Sequence, residues 1–173
     1  MAEHAGAVTF KGNPLTIIGE PLKVGDKAPD FSLLANNLSP VTLADSAGKT
    51  RLISVVPSLD TGICDLQTKR FNEEMGKLGD GVVCLTVSAD LPFAQARWCG
   101  AADAKNLQTV SDHRDMAFGD AYGLHIKELR LLQRAVFVVD ADGTVRYAEY
   151  VPEVAQHPDY DKALAALKEV AGA

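Results

Sequence analysis

Between Leu52 and Leu78 the chain passes from an unbroken apolar run into a helical repeat, and the junction carries a cysteine. Leu52-Ile53-Ser54-Val55-Val56 shows no clean alternation of apolar and polar residues, the pattern of a strand covered on both faces. Pro57 ends it, because proline has no N–H to give to a strand ladder. From Asp60 the pattern changes: Ile63, Leu66, Phe71, Met75 and Leu78 recur at roughly helical spacing. This predicts a helix from about Gly62 to Leu78, with Asp60 or Thr61 capping the unpaired N–H groups of its first turn. A strand of this kind must be sandwiched between helices, which restricts the chain to layered α/β architectures.

The remaining segments agree. Val8 to Lys11 and Leu15 to Ile18 flank Gly12-Asn13-Pro14 and read as an N-terminal hairpin, an extension outside the core that occupies residues 1–24. Phe31 to Leu34, Val41 to Leu43, Val82 to Val87 and Leu107 to Val110 are further strand candidates. Pro92 to Trp98 reads as a short helix with proline near its first position and Cys99-Gly100 at its end. Met116 to Tyr122 reads as a helix stopped by Gly123. Ala135 to Val139 turns at Asp142-Gly143 into Val145 to Tyr150, and Asp159 to Val170 closes as a helix. The expectation is one α/β domain over residues 1–173, with a mixed central sheet flanked by helices.

Charge and cysteine content narrow the function classes. Seventeen Lys and Arg against 23 Asp and Glu leave a formal net charge of −6, a poor footing for holding nucleic acid or an anionic membrane. Met1 to Phe10 lacks the basic and apolar regions of a secretory signal, and no apolar stretch approaches the roughly 20 residues of a membrane span. A cytoplasmic location is therefore expected, where a cysteine pair is more readily catalytic than structural. The three cysteines, Cys64, Cys84 and Cys99, include no C-x-x-C pair, and none of the four histidines stands two to five residues from any of them. Neither a metal site nor a cofactor is implied.

Cys64 carries the chemistry. With Thr61 as cap it falls at about the third helical position, where unpaired N–H groups and the positive helix end favour a thiolate nucleophile. A strand, a turn and then T-x-x-C opening a helix is the layout of a thioredoxin fold with its first redox cysteine replaced by threonine. A hydroxyl there serves a nucleophile that attacks some electrophile other than a disulfide, by donating to developing negative charge. A peroxide O–O bond is such an electrophile, and its product, a cysteine sulfenic acid, condenses with a second thiol.

Pro57-Ser58-Leu59-Asp60-Thr61-Gly62-Ile63-Cys64 resembles the peroxidatic loop of peroxiredoxins, P-x-x-x-T-x-x-C, with Pro57, Thr61 and Cys64 in the matching places. The early T-F-K-G-N-P-L and the S-A-D-L-P-F-A-Q-A-R-W-C-G from Ser88 to Gly100 are similar to the atypical two-cysteine, bacterial thiol peroxidase branch of that family. The resemblance implies a thioredoxin-like fold, reduction of hydrogen peroxide and organic hydroperoxides at Cys64, and resolution by Cys99 through an intrachain disulfide. It further implies thioredoxin as reductant and a homodimer. Its arginine falls on Arg134, whose guanidinium would stabilise the thiolate and polarise the peroxide, and its proline on Pro57, shielding the thiolate. Residue chemistry alone does not single out Arg134 from Arg51, Arg70, Arg97 and Arg114, each of which reads as a solvated surface charge.

Other residues receive plainer readings. Cys84, inside Val82 to Val87, reads as a small core residue. Gly62 stands where relatives often carry proline, which loosens the turn before the helix, and His125 and Gln133 are expected at surface or wall positions without chemical duty. A Cys-His hydrolase would leave both the T-x-x-C threonine and the W-C-G cysteine unexplained. The alternative outside catalysis is a redox sensor that uses the Cys64 and Cys99 pair as a switch.

Overall fold

A computed structural model describes residues 1–172. The elements follow in the order β1 (Glu3–Phe10), β2 (Asn13–Ile18), β3 (Ser32–Leu34), β4 (Pro40–Thr42), β5 (Thr50–Val55), α1 (Gly62–Met75), β6 (Val82–Ser88), α2 (Pro92–Ala102), β7 (Gln108–Ser111), α3 (Ala117–Tyr122), β8 (His125–Ile126), β9 (Leu131–Leu132), β10 (Ala135–Val139), β11 (Val145–Tyr150) and α4 (Tyr160–Val170). Seven strands form the central sheet in the order β11-β10-β5-β6-β7-β3-β4. β5, β6 and β7 are parallel, and the strands on either side of them run antiparallel, so the sheet is mixed as expected.

Alternation along the buried strands divides the core between the two faces. Ile53, Val55, Phe137 and Val139 point into a cluster with Phe118 and Tyr122 of α3. Leu52, Val136 and Val138 point the other way, against Phe71 and Met75 of α1 and Ala163, Leu164 and Leu167 of α4. Because both faces are covered, the strands read as continuous apolar runs. Each buried aliphatic side chain here contributes about 1.5–3 kcal/mol.

Several boundaries differ from the sequence expectation. The hairpin tip is Lys11-Gly12, both with positive φ, which matches the twist of the flanking strands, and Asn13 and Pro14 already belong to β2. The hairpin does not stand alone: β2 pairs with β8 and β8 with β9, and Val8 and Ile17 pack with Ile126 and Val154 in a cluster of their own. α1 stops at Met75, and Leu43 opens a short 3-10 turn rather than ending β4. α2 continues through Gly100 to Ala102, so Cys99 lies within its last turns; Asp103, left-handed at φ 52°, terminates it. Arg51 is corrected most sharply: it is 2% exposed, and its guanidinium donates to Ser46 Oγ and to the carbonyls of Asp140 and Leu43.

Candidate active site

β5 ends by delivering Pro57, Ser58 and Leu59 to a loop held by one carboxylate. Asp90 accepts hydrogen bonds from Ser58 Oγ at 2.7 Å, from the Leu59 N–H at 2.8 Å and from Ser88 Oγ at 2.8 Å. The loop that precedes the cysteine helix is thereby pinned to the end of β6. Asp90 was not singled out from sequence, although it lies in the S-A-D-L-P-F stretch.

Thr61 is the residue before α1, in an extended conformation (φ −99°, ψ 150°) that hands the chain to the helix. Its hydroxyl does not cap the helix; it donates to the Ser58 carbonyl at 3.0 Å and so closes the loop on itself. Cys64 occupies the third helical position and is fully buried against Val56 and Leu59, with the half-buried Trp98 over it. The unpaired N–H groups of the first turn and the positive end of the helix dipole lie here. Pro57 is buried beside Val56, at the point where the strand gives way to the loop.

Arg134, at the head of β10, is 1% exposed and is among the largest fully buried side chains. Burying a guanidinium requires polar partners on every side. Nη1 donates to Gln67 Oε1 at 2.9 Å, Nη2 donates to the Val154 carbonyl at 2.8 Å, and Nε has no acceptor among the described residues. Gln67 in turn donates from Nε2 to Ser54 Oγ at 2.8 Å. Gln67 stands three positions after Cys64, so both occupy one face of α1, and the Gln67 amide ties Arg134 to the cysteine helix. Arg70 lies on the rim, over the Tyr160 ring, while Arg97 and Arg114 are exposed.

Tyr160 senses the same charges. Burial raises its phenol above the ordinary range, the cations Arg134 and Arg70 pull it down, and the Cys64 sulfur pushes it up. Its ring packs edge-on against Phe71 at 5.6 Å. Neither Gln67 nor Tyr160 stood out in the sequence; a helical spacing from Cys64 was the available signal for Gln67.

The other cysteines divide by environment. Cys84 sits in the core between sheet and helices, where burial pushes its thiol up to about 12 and leaves it neutral. Cys99 is half-buried, with Sγ 3.3 Å from Thr109 Oγ1. The Thr109 hydroxyl gives its one proton to Asn36 Oδ1 at 3.0 Å, so the Cys99 thiol donates to Thr109. Successive helical residues diverge by about 100°, and accordingly Trp98 covers Cys64 while Cys99 turns toward β7. All three cysteines are free thiols.

Gln133 is buried and donates to the Val151 carbonyl at 2.9 Å; His125 shares a 2.7 Å contact with Asp120. Both shape the strand corner behind Arg134 and the hairpin. Among the described residues no three His, Cys, Asp or Glu side chains gather as a metal site, and no helix is long and apolar enough to cross a membrane.

Comparison with known proteins decides the family. The Redoxin family matches residues 23–164, most of the chain and the whole of the site just described. The chain belongs to the Redoxin family. The thiol peroxidase of Halalkalibacterium halodurans is 64% identical over 162 residues, covering 94% of this chain and 97% of the relative. The thiol peroxidase of Bacillus subtilis is 60% identical over 93% of this chain and 96% of its own length. Among solved structures, a peroxiredoxin-like protein from Aquifex aeolicus superposes with a TM-score of 0.89 at 40% identity, over 96% of this chain and 99% of that one. Membership in the Redoxin family at this level of identity makes the chain a peroxiredoxin-type enzyme, a thiol peroxidase with a thioredoxin-like fold.

Proposed function

We propose that the chain reduces hydrogen peroxide and organic hydroperoxides through Cys64, with Cys99 as the resolving thiol and thioredoxin as the electron donor. The observation that carries this reading is the placement of Cys64, at the third position of α1, on the helix face whose Gln67 holds the buried Arg134 guanidinium. The Cys64 thiolate attacks one peroxide oxygen; an S–O bond forms, the O–O bond breaks, and the second oxygen leaves as alkoxide or hydroxide and takes a proton. Sulfur is oxidised to sulfenic acid as the peroxide is reduced to alcohol or water. The Nε–H of Arg134, free of a protein acceptor, supplies a donor to the oxygens as negative charge develops. Thr61 shapes the loop through Ser58, and Pro57 excludes water from the sulfur.

Condensation follows: the Cys99 thiol displaces hydroxide from the sulfenic sulfur, the S–O bond breaks, a disulfide forms and water departs. A dithiol then reduces the disulfide and is itself oxidised. Because Cys99 faces Thr109 while Trp98 covers Cys64, the two sulfurs meet only after α2 rearranges, which supports local unfolding as part of the cycle. Exposed Leu66 on α1 and Leu91 and Phe93 at the start of α2 support a contact with a second copy of the chain.

The test is peptide mapping after one equivalent of peroxide, followed by thioredoxin, its reductase and NADPH. A Cys64–Cys99 disulfide that disappears on thioredoxin addition is the expected result. A Cys64–Cys84 bridge, or oxidation that thioredoxin does not reverse, would overturn the assignment.

A further inference from the structure

Two contacts hold the last turns of α2 in the arrangement that keeps Cys99 away from Cys64. One is the thiol contact of Cys99 with Thr109 on β7. The other runs from the neighbouring residue to the cysteine helix: Trp98 Nε1–H donates to Asp65 Oδ1 at 2.8 Å. Asp65 immediately follows Cys64, and its second oxygen is engaged by Lys69 Nζ at 2.9 Å, one turn along α1. The carboxylate is therefore fixed from its own helix, and the indole is fixed to it. The same indole packs on the buried cluster of Val56, Leu59 and Cys64.

We propose that Asp65 is a positioning residue for the resolution step, a latch that acts through Trp98 and sets how fast Cys99 reaches the oxidised Cys64. The inference rests on the Cys64 and Cys99 cycle above and adds the residue that governs its conformational step. Cys99 cannot swing from the β7 side toward Cys64 while the preceding residue stays hydrogen-bonded to the start of α1. Rearrangement of α2 must therefore break the indole–carboxylate bond before the sulfenic sulfur and the Cys99 thiol meet. A bond to a charged acceptor stabilises the starting arrangement, so its loss raises the population of the rearranged state by about tenfold. Resolution competes with further oxidation of the sulfenic acid by a second peroxide. By slowing the first, the latch favours the second, so the strength of one hydrogen bond sets the peroxide level at which the enzyme is lost to sulfinic acid.

Asp65→Ala and Asp65→Asn make the deciding pair. Both remove the charge and the Lys69 pairing, and only asparagine keeps an oxygen for the indole. Rapid mixing with one equivalent of hydrogen peroxide, acid quench and thiol alkylation give the rates of Cys64 oxidation and of disulfide formation separately. Disulfide formation is expected about tenfold faster in Asp65→Ala than in the parent, and several-fold faster than in Asp65→Asn, whose neutral amide oxygen keeps the weaker bond, with the two variants alike in Cys64 oxidation. Trp98→Phe, which keeps a ring but no donor, should match Asp65→Ala, and combining the two should add nothing further. Under excess peroxide, Asp65→Ala and Trp98→Phe should accumulate less sulfinic acid than Asp65→Asn. Equal disulfide rates in the alanine and asparagine variants, with the Cys64–Cys99 bond forming in both, would overturn the latch and leave the cycle standing. Absence of that bond in the parent protein would overturn both.

Discussion

Replacing Gln67 by leucine removes the one side chain that joins Arg134, Ser54 and the cysteine helix. Leucine nearly conserves volume and creates no large cavity, so the cost is polar. Gln67, Ser54 and Arg134 are all essentially without solvent exposure, so neither orphaned partner gains water in exchange. Arg134 Nη1 loses its acceptor and Ser54 Oγ loses its donor. An unsatisfied buried polar group costs about 1–3 kcal/mol, and more when it is charged, which places the total near 3 kcal/mol after the gain from apolar burial. A domain of this size holds roughly 5–15 kcal/mol in all. In urea, with a slope of about 1–3 kcal/mol per M, the midpoint should fall by roughly 1–3 M. Gln67→Glu separates stability from chemistry: glutamate accepts from both Arg134 and the Ser54 hydroxyl, so the fold should stay near the parent's stability. Its negative charge on the Cys64 face of α1 opposes the thiolate, and Cys64 oxidation at neutral pH should slow on the order of tenfold. A Gln67→Leu protein within about 0.5 kcal/mol of the parent, with an unchanged rate of Cys64 oxidation, would refute the argument that this amide positions the guanidinium.

Further expectations concern pH and the entry to α1. Burial raises the Asp112 carboxyl from 3.8 to about 6, against the pull of the Phe118 and Gly119 N–H groups that donate to it. The folded state holds this proton more tightly than the unfolded chain, so the contribution to stability is full below pH 4 and is lost as pH rises through about 6. Denaturant titrations from pH 4 to pH 7 should show a decline of about 3 kcal/mol from this group, absent in Asp112→Asn; parallel profiles would exclude it. Gly62→Pro suits the first helical position: a Cβ there meets nothing within 4 Å and Thr61 is already extended, as the residue before proline must be. It should raise stability by about 0.4–1 kcal/mol and slow disulfide formation by stiffening the turn, read by thermal unfolding and quenched alkylation; a lower midpoint would contradict it.

The parts of the molecule that could be read from the chain are those where local pattern and tertiary demand coincide. The strands at Leu52, Val82 and Ala135 are buried on both faces and therefore unbroken in hydrophobicity, and the first turn of a helix confers its own electrostatics on Cys64. Arg51 reads as a surface charge because its burial depends on the 3-10 turn folding back to offer Ser46 Oγ and the Leu43 carbonyl, and on the Asp140 carbonyl 89 residues away just past β10, none of which shows in local hydrophobicity. Gln67 is illegible for a similar reason: its worth lies in Ser54 on β5 and Arg134 just before β10, both distant in the chain. β8 and β9, two residues each, are too short for any periodicity and exist because the hairpin offers an edge. Gly100 resembles a helix stop, yet the left-handed residue that ends α2 is Asp103.

The central claim is that one of three thiols does the chemistry, a second resolves it and the third only packs. Steady-state consumption of hydrogen peroxide with thioredoxin, its reductase and NADPH, measured for the single Cys64→Ser, Cys84→Ser and Cys99→Ser proteins, tests it most directly. Turnover should vanish without Cys64, persist without Cys84, and stop after one fast oxidation without Cys99. Sustained turnover by the Cys64→Ser protein would contradict the account.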